Sequence, residues 1–234
     1  MRALLSLSSA TTTTAWEWAA MGEKVAFRAR NPEQTKAGIL AAAQQEFARL
    51  GLAGGRVESI AEAAGANKRM IYHYFGGKEQ LFEAVVEDAY ARLRDSESQL
   101  GLEDLPPADA LRKLVAFSWQ YGLQNPEFIT LINSANLHQG RHLAGKAQLR
   151  KLHRAYVKAV DSVLRRGVAS GVFREGIDAS QLCVTIDAIG HHYLATRHTG
   201  TLLYGFNFGS RDALAKRLEF NVETVLRMVL KKPK

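Results

Sequence analysis

A single cysteine, Cys183, stands in 234 residues, which excludes an intrachain disulfide and any zinc site built from several thiolates. Such cysteine usage suits a reducing compartment, so the cytoplasm is the expected location. Five prolines and 19 glycines are too few for a collagenous or low-complexity chain. No run approaches the roughly 20 consecutive apolar residues of a membrane-spanning helix, and no membrane partner is expected. A glycine-rich phosphate loop and a nucleophile elbow are also missing. No segment alternates like a strand. What remains is 47% hydrophobic, 9% aromatic and 23% charged, enough apolar material for one or two packed cores and incompatible with a wholly disordered chain.

The formal net charge is +8 and the pI near 9.7, which admits nucleic acid, anionic lipid or an acidic ligand as partners. Placement says more than the sum. Lys24 to Lys78 holds nine basic residues against four acids, whereas Leu111 to Lys234 holds 19 against eight. Most of the excess therefore lies in the second half. Along it, Arg141, Lys146, Arg150, Lys151, Arg154, Lys158, Arg165 and Arg166 form a run read as a solvated face, with docking of an acidic ligand tail or DNA flank as the alternative.

Residues 1–30, rich in Ser and Thr, show no helical or alternating period and read as an unstructured arm. The apolar run Ala3 to Leu7 is shorter than a secretory core; Met21 as the true start is a further reading. From Pro32 the pattern changes. Ile39, Leu40, Ala43, Phe47 and Leu50 recur at helical spacing up to Gly51, a stop signal. A second helix is expected over Val57 to Ala64 and a third over Lys68 to Phe75, the latter capped by Asn67. Three residues, Gly65 to Asn67, separate them. Two short helices joined by a glycine-containing turn make a helix-turn-helix, whose second helix can lie in the major groove of DNA. Alanine-rich helix pairs of this kind also occur as plain packing elements.

The run from Ile60 to Lys78, IAEAAGANKRMIYHYFGGK, followed by Glu79, Gln80, Leu81 and Phe82, resembles the signature of the tetracycline-repressor (TetR) family of transcriptional regulators. The resemblance covers Lys36 to about Val86. It implies an N-terminal DNA-binding domain over 31–78 and a helical effector and dimerisation domain over 79–234. It further implies Lys68, Arg69 and Met70 at base edges, Tyr72, His73 and Tyr74 mainly at phosphates, and Lys78 reinforcing a phosphate contact at a helix N-terminus. The family often has Thr where this chain has Gly55 and Arg56; Arg56 is a candidate replacement phosphate contact.

Beyond Leu81 the helical period continues through Leu93, and Pro106 and Pro107 interrupt the chain. Helices are then expected over Ala108 to Gln124, Glu127 to His138, about Gly145 to Ser170, about Ala179 to Arg197, and Arg211 to Leu230. The fold class is all-α with about nine helices. The last two helices carry apolar stripes, Leu182, Ile186, Ile189 and Gly190 on one, Leu214, Leu218, Val222, Val225, Leu226 and Val229 on the other. Two such helices from each of two chains would form a four-helix homodimer interface, as the resemblance also implies; packing within one chain is the alternative.

His138 and His142, and Asp187 and His191, lie four apart, a spacing able to hold a metal on one helix face, yet neither pair has an identifiable third ligand. No cofactor is expected, and no enzyme. A small-molecule effector is expected between the fifth and eighth helices, lined by some of Trp119, Phe128, Asn133, His138, Cys183, Asp187, His191 and Tyr193, which mix aromatic surface with a few polar groups. The leading function is a ligand-responsive regulator, most often a repressor, acting as a homodimer on an inverted repeat of double-stranded DNA. A DNA binder without an effector, and an enzyme using the His and Asp positions, are the competing classes.

Overall fold

The computed structural model describes residues 31–231; the readings of 1–30 as an arm and of Met21 as a start lie outside the described residues. Among these, ten α-helices and two 3-10 turns account for the regular structure, with one isolated bridge between Phe173 and Leu230. The helices are α1 (Pro32–Gly54), α2 (Val57–Ala63), α3 (Lys68–Phe75), α4 (Lys78–Ser98), α5 (Pro107–Gln124), α6 (Pro126–Leu137), α7 (Ala147–Ala169), α8 (Ala179–Ala195), α9 (Arg197–Tyr204) and α10 (Arg211–Val229).

Local chemistry explains most boundaries. Asn31 caps α1 by accepting from the Glu33 N–H, and Pro32 fills the first turn where no backbone donor is needed. Gly51 does break α1, with φ +66°, but a further turn follows to Gly54 and is tied to α6 by the Leu52 N–H donating to Ser134 Oγ at 3.3 Å. The expected stop is thus a kink. Asp178 accepts from the Gln181 N–H at 2.8 Å and starts α8. The expected single helix to Arg197 instead breaks at Thr196, and α9 follows as a separate element. It is pinned by Gly200, where any Cβ would fall 2.5 Å from the Phe208 ring, and by the Phe208 N–H donating to Thr201 Oγ1.

Two main cores result. Ile39, Phe47, Ile60, Ile71, Leu81, Phe82 and Val86 of α1–α4 pack with Leu131 and Ala135 of α6. Leu111, Leu114, Tyr156, Val160, Leu182, Ile186, Val225 and Val229 of α5, α7, α8 and α10 form the second. Helix α4 enters both regions: its first half supplies Leu81, Phe82, Val85 and Val86 to the first core, and its second half buries Leu93, Arg94 and Glu97.

This arrangement corrects the expected dimer stripe. Leu182, Ile186, Val225, Leu226 and Val229 lie in the chain's own core, between 0% and 8% exposed. Gly190 is buried, with Trp119 the nearest side chain to its Cβ position, and Ile189 and Val222 pack against the same core. Leu214 and Leu218 are half-buried against Trp119, Tyr193 and Phe208. The stripes were real, but a 3.6-residue period reports burial and not whose surface does the burying.

Candidate DNA-reading and effector sites

Helix α3 projects from the first core through buried Ile71, with Met70, Tyr74 and Phe75 half-buried against that core. Its cap is firm: Asn67 accepts from the Arg69 N–H at 2.7 Å. Gly65 at φ +57° makes the turn from α2, a conformation that a side chain would strain. Arg69, Tyr72 and His73 are exposed. They offer more open surface than Met70 or Tyr74, whose side chains serve largely as packing.

Two of the expected contacts are engaged within the chain. Lys68 forms an ion pair with Glu58 of α2 and lies 6.0 Å from the Tyr72 ring centre. That hydrogen bond holds Glu58 below the usual carboxylate range and Lys68 above the usual lysine range. Lys78 donates from Nζ to the Ala53 carbonyl at 3.1 Å and so fastens the start of α4 to the end of α1. Arg56 is exposed at the N-cap of α2 with no side-chain capping bond, while its backbone N–H donates to Glu46. A threonine does not fit at Gly55 without rearrangement, because its Cβ would sit 2.6 Å from the Phe47 ring.

The effector half contains a cavity of about 320 Å3 between α4, α5, α6 and α8. Phe128, Asp187 and His191 of the expected set line it. Trp119, Cys183 and Tyr193 do not: at 2%, 1% and 7% exposure they are packing residues. Tyr193 stacks on Phe208 with ring centres 4.3 Å apart, and burial pushes the Cys183 thiol up to about 12. Asn133 supports from outside the cavity, its Oδ1 2.9 Å from His191 Nε2. His138 caps the end of α6 and is not among the lining residues. Asp187 faces Arg94 at 3.7 Å and His191 meets Asn133, so the i, i+4 pair serves hydrogen bonding and charge pairing.

Sequence reasoning missed Tyr90, Arg94 and Tyr121, which line the cavity with Phe128. Tyr90 and Tyr121 meet the Phe128 ring edge to face at 5.5 and 5.9 Å. The available signal was Arg94 and Glu97 continuing the buried face of α4. Arg94 pairs with Glu97 and Asp187, and its guanidinium lies 4.1 Å from the Tyr156 ring centre. Burial pushes Glu97 up to about 7 and also raises Asp187, with Arg94 opposing both shifts. A second, more open groove of about 780 Å3 shares Tyr90, Arg94 and Asp187 and is rimmed by Lys146, Arg150 and Arg154 of the basic run. Of that run, Lys146 bridges Glu83 and Glu87, and Arg166 donates to the Leu102 and Leu105 carbonyls. The run is therefore partly a set of structural clamps.

A helix-turn-helix continuous through one helix with a cavity-bearing helical bundle is the architecture of a DNA-binding transcriptional regulator. Comparison with known proteins agrees. Residues 39–85 match the family described as bacterial regulatory proteins, tetR family, and residues 107–225 match the tetracyclin repressor-like C-terminal domain. The transcriptional repressor NicS of Pseudomonas putida is 37% identical over 204 residues, 87% of this chain and 96% of NicS. The repressor SCO4008 of Streptomyces coelicolor is 31% identical over 188 residues, 80% of this chain and 92% of that protein. Among solved structures, a transcriptional regulator from the same organism, SCO4942, superposes with TM-score 0.63 at 25% identity, covering 83% of this chain and 98% of its own. The chain belongs to the TetR family of transcriptional regulators. No helix among the described residues is long and apolar enough to cross a membrane.

Proposed function

We propose that the chain is a ligand-responsive repressor that binds an inverted-repeat operator as a homodimer. The carrying observation is the continuity of α4, which begins beside α3 and brings Tyr90, Leu93 and Arg94 to the effector cavity. Displacing its second half displaces the reader. Arg69, Tyr72 and His73 present the open face of α3 to DNA, and Arg56 and Lys68 flank it. Lys78 serves chiefly to hold α4 against α1, with a phosphate contact secondary.

The dimer is assigned to apolar surface that the chain leaves open. Leu202, Leu203 and Tyr204 of α9 are 82%, 80% and 71% exposed, and Phe206 and Phe220 lie close to half. Such a concentration beside the last two helices marks an interaction surface. Two readers related by a twofold axis match half-sites one helical turn, roughly 34–36 Å, or a multiple apart.

Selection of bound duplexes from a random pool, followed by footprinting, tests the reading. Two related half-sites are expected. Arg69→Ala should change which bases are preferred, whereas Arg56→Ala should weaken all sequences alike and flatten the salt dependence. The double change Leu202→Glu and Leu203→Glu should yield a folded monomer in sedimentation and cost operator binding. Equal affinity for random and selected DNA would overturn the assignment.

A further inference from the structure

The charged groups on the cavity wall are Arg94 and Asp187. Arg94 is the cation of the cluster, and it faces two carboxylates, Glu97 on its own helix and Asp187 on α8. Burial lowers His191 and His153 below the usual imidazole range, so neither adds a strong cation. At the rim of the open groove, Lys146 is engaged by Glu83 and Glu87, and Arg150 and Arg154 are exposed to solvent.

The two acids are not equivalent. Glu97 is 6% exposed and sealed against Arg94, while Asp187 is held loosely at 3.7 Å, is 39% exposed and lines the cavity. Beside it stand the Tyr90, Tyr121 and Phe128 rings. A loosely paired, partly exposed carboxylate next to aromatic faces attracts a positively charged group. Arg94 offers little to an anion: its nitrogens meet Glu97 and Asp187 and one face rests on Tyr156, so a ligand carboxylate must first displace Asp187.

We infer that the effector of this cavity is an aromatic molecule carrying a cationic nitrogen, with Asp187 as its counterion and Tyr90, Tyr121 and Phe128 around its ring. The inference rests on the ligand-responsive reading above and adds the ligand's chemistry and a route for its signal. Arg94 bridges α4 to Asp187 of α8 and to Tyr156 of α7. A cation on Asp187 competes with Arg94, loosens α4 from α8 and frees the helix that carries the reader.

The test is calorimetry on the full chain with three probes sharing one ring system: N-methylquinolinium, quinoline and quinoline-2-carboxylate, at a pH where quinoline is neutral. N-methylquinolinium should bind at least about tenfold more tightly than the carboxylate. Asp187→Asn, nearly isosteric, should erase most of that preference while changing quinoline binding less than about threefold. Phe128→Ala should weaken N-methylquinolinium and quinoline together. If Asp187→Asn fails to fold, the ranking of the three probes on the native chain still decides. N-methylquinolinium should also release selected operator DNA. Tighter binding of the carboxylate, or binding of none of the probes, overturns the inference. The DNA selection uses no ligand, so failure of the regulator reading shows there separately.

Discussion

The two ends of α4 lie in differently built surroundings. Around α1–α4 the buried groups are almost all apolar, and Glu46, the buried charge there, is satisfied by the Arg49 side chain and the Arg56 N–H. Around the second half of α4 the chain buries Arg94 and Glu97 and leaves a cavity and an open groove beside them. Close-packed apolar cores have one low-energy arrangement, whereas a buried cluster of ionisable groups can be re-paired by a ligand or a proton. On the proposed ligand-responsive reading, the reader holds its shape and the C-terminal half changes it.

The largest expected effect comes from breaking the first core. Phe82 is fully buried and meets Phe47 edge to face at 5.3 Å. Phe82→Ala should cost about 3–5 kcal/mol, read from urea unfolding, and should abolish operator binding. A loss of DNA binding with unchanged stability would contradict the rigid-reader picture.

Charge removal sharpens the other side. Arg94→Met strands the buried Glu97 and the half-exposed Asp187 and should cost roughly 3 kcal/mol near pH 8, the low end for a broken buried pair because Asp187 keeps partial exposure. The triple change Arg94→Met, Glu97→Gln, Asp187→Asn should restore most of that stability. If the triple variant is as unstable as the single one, packing of the guanidinium, not charge, holds the site.

Glu97 sets a pH-dependent effect. Its pKa is raised from 4.5 to about 7, so the folded chain keeps a proton that the unfolded chain has lost. The stability from this proton is complete below about pH 4.5 and is lost as pH rises through about 7. Glu97→Gln should therefore match the native chain near pH 4.5 and exceed it by up to about 3 kcal/mol at pH 8. Parallel stability curves for the two proteins across that window would remove Glu97 as the source.

The same contrast governs what could be read in advance. Several helix boundaries were legible because caps and turns are local: Asn67, Gly65 and Asp178 do in the structure what their residue types dictate. Helix α9 was not, since the break at Thr196 has neither glycine nor proline to mark it. Phe128, Asp187 and His191 were placed at the cavity, but Trp119, Cys183 and Tyr193 were not separable from them by composition alone. Tyr90 and Arg94 lie on a helix whose apolar period points to the core, and only the position of α8 turns them into cavity walls. The apolar stripes of α8 and α10 were visible, and their partner was not.

The smallest effect compares two caps of the same design in the two halves. Asn67 accepts from the Arg69 N–H at 2.7 Å, and Asp178 from the Gln181 N–H at 2.8 Å. Replacing either by Ala removes one acceptor from a helix N-terminus and should cost about 1 kcal/mol. The consequences should differ by location. Asp178→Ala acts on α8 at a distance from DNA and should leave operator affinity within about twofold. Asn67→Ala loosens the first turn of α3, where Lys68 and Arg69 lie, so amide exchange at Arg69 should quicken and operator affinity fall by roughly tenfold, since a loosened reading helix must be ordered again on binding. Equal losses of DNA affinity from both changes would mean that a local defect spreads through α4 in either direction, and the division into a rigid reader and an adjustable effector half would have to be abandoned.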